Sequence, residues 1–65
     1  MVKVIYSNRP DKLKEKELKT LNSAIKYIYK YSYVTIYDYD YLANGGIKPH
    51  YGDFINGVKV GNHNG

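Results

Sequence analysis

Asp38 and Asp40 are the nearest thing in this sequence to a catalytic pair. In an extended strand their side chains would leave the same face about 7 Å apart. Two such carboxylates could hold a magnesium ion, with His50, Asp53 or His63 completing a miniature nuclease site. Spacing alone does not make the oxygens converge, however, and solvated strand-end acids balancing nearby lysines produce the same pattern. His50 and His63 are the residues suited to proton transfer near neutral pH, but neither has a local serine or carboxylate pattern that would form a triad. Gly45, Gly46, Gly52, Gly57 and Gly61 match neither a dinucleotide loop nor a Walker motif, both of which place glycines at set intervals between a strand and a helix. They read as turn residues. The chain has no cysteine, which excludes zinc fingers, thiol nucleophiles and disulfide-stapled secreted folds. The sequence is therefore expected to be non-catalytic and to need no cofactor.

Chemistry suited to binding is better represented. Projected at 100° per residue on a helix, Lys12, Lys16, Lys19, Lys26 and Lys30 form a stripe opposite an apolar face made by Leu18, Leu21, Ile25 and Ile28, which is about 80° wide. Such a stripe suits an acidic partner, and lysine contacts phosphate as a point charge without reading bases. Arg9 is the sole arginine, so sequence-specific DNA recognition, which leans on arginine forks, is not expected. The nine tyrosines exceed what a small core can satisfy, because each buried hydroxyl needs a partner. Tyr33, Tyr37, Tyr39 and Tyr41 recur at odd positions. Exposed, that row could stack on single-stranded bases or anchor a protein interface.

The elements that must position these groups follow from periodicity. Val2, Val4 and Tyr6 alternate with Lys3 and Ile5, which predicts a strand over residues 2–6. Asn8, Pro10 and Asp11 have the chemistry of a helix start, and the apolar face above predicts a helix from near residue 9 to near Tyr31. A period of two then predicts a second strand, Tyr33 to Leu42, rich in aromatic and β-branched residues. Its parity is awkward, since Val34, Ile36 and Leu42 would share a face with Asp38 and Asp40. Either the strand leaves the core after Tyr37 or a bulge changes its facing. Asn44, Gly45 and Gly46 predict a turn, Ile47 and Lys48 the start of a short return strand that Pro49 would confine to an edge, and Phe54 to Val60 a hairpin turning at Asn56 and Gly57. The five residues from Gly61 are expected to fray.

The expected fold is α+β: a single small domain over 1–65 with one helix packed on a small, mainly antiparallel sheet in the order β-α-β-β-β. At 65 residues there is room for one core and no interdomain cleft. Ten basic against six acidic side chains give a net charge of +4, which favours acidic partners. The first ten residues hold no long apolar run, so no signal peptide or membrane span is expected to begin there and the default compartment is the cytoplasm. Ile, Lys, Asn and Tyr supply thirty of the 65 residues, a bias of AT-rich coding DNA that points to an AT-rich bacterium, virus or mobile element. The leading expectation is a small binding protein, phage-like in composition, that inhibits or modulates a larger host protein or protein–nucleic acid complex by occupying an acidic surface on it. The alternatives are a direct RNA or single-stranded DNA binder and the metal-dependent nuclease on Asp38 and Asp40.

Overall fold

The first alternating segment forms β1 (Val2–Ser7), with Val2 and Val4 pointing into the core. The computed structural model describes residues 1–43 and 45–60, and over these the order continues with β2 (Lys14–Leu18), α1 (Leu21–Ile28), β3 (Tyr33–Asp38), the five-residue α2 (Tyr39–Ala43), β4 (His50–Ile55) and β5 (Val58–Val60). The five strands make one antiparallel sheet in the order β2-β1-β3-β4-β5. One main helix, α1, packs on a single face of it. The α+β architecture is as expected, with one strand more than the sequence suggested.

That extra strand replaces the first half of the expected helix. Residues 9–13 form a turn in which the Lys12 amide donates to the Arg9 carbonyl, at 3.2 Å. Asn8 does not cap a helix; its side-chain oxygen accepts from the Ser32 amide at 3.1 Å, tying the loop after β1 to the start of β3. Lys14, Glu15, Lys16, Glu17 and Leu18 then lie extended against β1, with Val4 opposite Lys16 and Ile5 opposite Glu15. Lysine and glutamate favour helices, but here their alternation divides them between two faces of an edge strand. The helix starts at Thr20, whose extended backbone and side-chain oxygen, accepting from the Ser23 amide at 3.3 Å, satisfy one orphan donor of the first turn. It ends at Ile28, and the amides of Lys30 and Tyr31 both donate back to the Tyr27 carbonyl.

The core lies between α1 and the sheet. Ala24 and Ile28 are buried against Val2, Val4, Val34, Ile36 and Phe54, flanked by Leu18, Leu21 and Ile25. Removing a side chain of this size from water contributes about 1.5–3 kcal/mol. Tyr6, Tyr27 and Tyr31 close one end of this layer, with Tyr6 at 4.9 and 4.6 Å from the other two ring centroids.

The parity conflict in the second strand is resolved by ending it. β3 stops at Asp38, and the Asp38 carboxylate accepts from the Asp40 and Tyr41 amides at 3.1 and 3.3 Å, so it caps α2 rather than entering the core. The return strand expected at Ile47 and Lys48 is absent from the described residues, which bend there instead, and β4 begins at His50. The β4–β5 turn is as expected: Asn56 and Gly57 both have positive φ, 51° and 82°, the combination that matches the twist of a two-residue hairpin. Asn44 of the expected turn, and the expected frayed segment 61–65 with His63, lie outside the described residues.

Candidate functional site

Because α1 covers one face, the alternate residues of the same strands form a second face that the main helix leaves uncovered. Register assigns its occupants. One row runs Glu17, Lys3, Tyr37, His50; the next runs Glu15, Ile5, Thr35, Asp53, Val60; a third holds Ser7, Tyr33, Ile55, Val58. Tyr33 and Tyr37 therefore point away from the helix while Val34 and Ile36 point beneath it, the facing that leaves a tyrosine platform.

The rest of the expected aromatic row divides. Tyr39 belongs to α2 but stacks on Tyr37, with centroids 6.3 Å apart and planes within 22°. Tyr41 does not join them. Its ring lies so close over Gly46 that a Cβ would not fit there, and it lines a recess with Leu21 and Pro49. The change from strand to helix after Asp38 rotates Tyr41 out of the row.

Beside the tyrosines runs a hydrogen-bonded chain. Thr35 Oγ1 donates to Asp53 Oδ1 at 2.8 Å, and His50 Nε2 lies 3.0 Å from the same oxygen, which can only accept from it. The His50 ring packs 5.4 Å from that of Tyr37. A register shift in the β3–β4 ladder between Ile36 and Tyr37 sets His50 rather than Tyr51 opposite Tyr37 and so brings His50 over Asp53. Sequence spacing placed His50 and Asp53 as helpers to Asp38 and Asp40; the signal for their actual pairing, three residues apart across a bulge, is not readable without the register.

A shallow groove of about 360 Å³ adjoins this chain. Ile5, Tyr33 and Thr35 line it together with Pro10, Leu13 and Ile55. The turn after β1, expected to be the start of a helix, thus contributes to the lining of a concavity.

The lysine stripe is not a helix stripe. Lys12 lies in the β1–β2 turn, Lys16 in β2 and Lys19 in the loop before α1; Lys26 is helical and Lys30 follows the helix. The geometric premise of one helical face therefore fails, because Lys12 precedes, Lys16 lies in and Lys19 follows a strand where a helix was expected. Charge is sorted differently, by strand parity. Lys14, Lys16 and Lys59 occupy helix-side positions opposite Tyr6, Val4 and Phe54, whereas Glu15, Glu17 and Asp53 lie on the open face with Lys3. Lys3 Nζ pairs with Glu15 at 3.8 Å.

Asp38 and Asp40 have different partners: the first caps α2, and the second pairs with the α-amino group of Met1. No group of three or more His, Asp or Glu side chains that could hold a metal ion occurs among the described residues. No helix among them is long and apolar enough to cross a membrane. Comparison with protein-family models, with curated proteins and with solved structures finds no match for the chain.

Proposed function

We propose that this chain is a small non-catalytic binding protein that inhibits or modulates a larger partner, such as a nucleic-acid-processing or defence complex, by occupying part of its surface. The observation that carries this reading is the uncovered sheet face, where Tyr33, Tyr37 and Tyr39 stand beside an apolar groove lined by Ile5, Leu13 and Ile55. Tyrosine supplies a rigid amphipathic contact at little entropic cost, and aromatic anchors beside a concavity are what interface hot spots are made of.

Direct binding of RNA or single-stranded DNA is the second reading, favoured by the near-parallel Tyr37 and Tyr39 rings, on which bases could stack. Its weakness is the placement of the lysines: Lys14 and Lys16 lie on the opposite side of the sheet from Tyr33 and Tyr37, so a short strand would not meet both at once.

Affinity capture from the source cell, with and without nuclease treatment, separates these readings. A protein partner survives the treatment and a sole nucleic-acid partner does not. With the protein partner in hand, Tyr37→Ala/Tyr39→Ala should weaken binding by more than ~2 kcal/mol, the hot-spot range, with the far-ultraviolet circular dichroism unchanged. Unchanged affinity in a folded double variant would refute the open face as the contact.

A further inference from the structure

We propose that the occupant of the open face is a basic, arginine-bearing protein surface. This rests on the open face being the contact, and it reverses the acidic partner suggested by the overall charge of +4. Strand parity moves Lys14, Lys16 and Lys59 to the helix side and leaves three carboxylates, Glu15, Glu17 and Asp53, on the open side. Against them stand Lys3, whose amine is engaged by Glu15 at 3.8 Å and which also faces Glu17 across the β1–β2 ladder, and His50, whose Nε2 lies 3.0 Å from Asp53. The face is thus locally acidic on a molecule that is globally basic.

The aromatic groups share that face. Glu17, Lys3 and Tyr37 lie in one cross-strand row, with Tyr39 stacked on Tyr37. A guanidinium uses both kinds of group: its plane stacks on an aromatic ring while its fork pairs with a carboxylate. A phosphate backbone would meet the carboxylates with like charge. A second copy presenting its own open face would set acid against acid.

The test is a titration of the full chain at low salt, followed by amide chemical shifts, with three probes: a hexa-arginine peptide, a hexa-glutamate peptide and an oligothymidylate. Because the chain carries +4 overall, a polycation is repelled at long range, and only a local acidic site would hold it. The arginine peptide should shift the amides of Lys3, Thr35, Tyr37 and Asp53 and leave those of α1 unmoved. Glu15→Gln/Glu17→Gln, at exposed positions on an edge strand, should weaken that binding about tenfold. Absence of open-face shifts with the arginine peptide, or shifts indifferent to the glutamine substitutions, would overturn the proposal. So would an oligothymidylate that moves the open face in its place, or open-face shifts on concentrating the protein alone, which would make a nucleic acid or a second copy the occupant. If a captured partner is lost with Tyr37→Ala/Tyr39→Ala but kept with Glu15→Gln/Glu17→Gln, the open face stands as the contact and the basic surface falls. If neither pair of substitutions weakens capture, the contact itself is wrongly placed.

Discussion

Thr35 and Ile36 are consecutive residues of the central strand β3, yet one lies beneath the helix with no exposed surface and the other looks out beside a groove. The same contrast repeats across the sheet: Val4 against Ile5 in β1, Phe54 against Asp53 in β4, Lys16 against Glu17 in β2. The covered face buries aliphatic side chains and one phenylalanine at its centre, with Tyr6 at one end and the exposed Lys14, Lys16 and Lys59 on the outer strands. The open face mixes tyrosine, isoleucine, threonine and carboxylates, and its polar groups are joined to one another, as in the Thr35–Asp53–His50 chain. The difference separates a face that holds the fold from a face that the main helix leaves uncovered.

The largest test of this division is Ile36→Ala. Deleting a fully buried isoleucine side chain on the central strand should cost about 2–5 kcal/mol, read as a lower urea midpoint. For a domain of this size, whose total stability is of order 0.05–0.15 kcal/mol per residue, that is enough to unfold a large fraction of the chain at 37 °C. Next, Asp38→Ala removes the oxygen that caps α2 and should cost about 0.5–2 kcal/mol. Amide exchange should quicken in Tyr39 to Tyr41 before it does in β1. Smallest is Thr35→Val, which keeps the shape and removes one donor to Asp53, with an expected cost of about 0.5–1.5 kcal/mol. A loss at Thr35 as large as that at Ile36 would erase the distinction between the faces.

The order of these effects tracks what could be read before the structure. Alternation alone left the facing of Val34 and Ile36 open, since it put them on one face with Asp38 and Asp40. Strand β1 and the β4–β5 turn were legible because each is set locally, by alternation or by residues that tolerate positive φ. Strand β2 was not. Leu18, Leu21, Ile25 and Ile28 fall on one helical face whether or not Leu18 is helical, and Lys14 to Glu17 contain no apolar residue to betray a period of two. What makes them a strand is the pairing with β1, a tertiary condition that overrides helix propensity. The open face was legible as a possibility and its tyrosines by number. The His50–Asp53 contact and the apolar groove were not, since both depend on register between segments far apart in sequence.

Strand β2 has one more consequence, for life at high concentration. It ends the sheet on one side, with its lysines on one face and its glutamates on the other. A strand that joins a sheet in register keeps its faces matched to those of its neighbour. A second β2 pairing antiparallel with this edge would therefore lay lysine beside lysine and glutamate beside glutamate. The far edge is β5, three residues long, with Lys59 on the face that carries Lys14 and Lys16, so a copy whose β5 joins another's β2 with the faces in the same sense would bring Lys59 to the face of those lysines. Unpaired edges are where chains nucleate aggregates. Here the charge pattern disfavours the antiparallel pairing of two β2 edges, one of the ways in which a bare sheet edge could join a second copy.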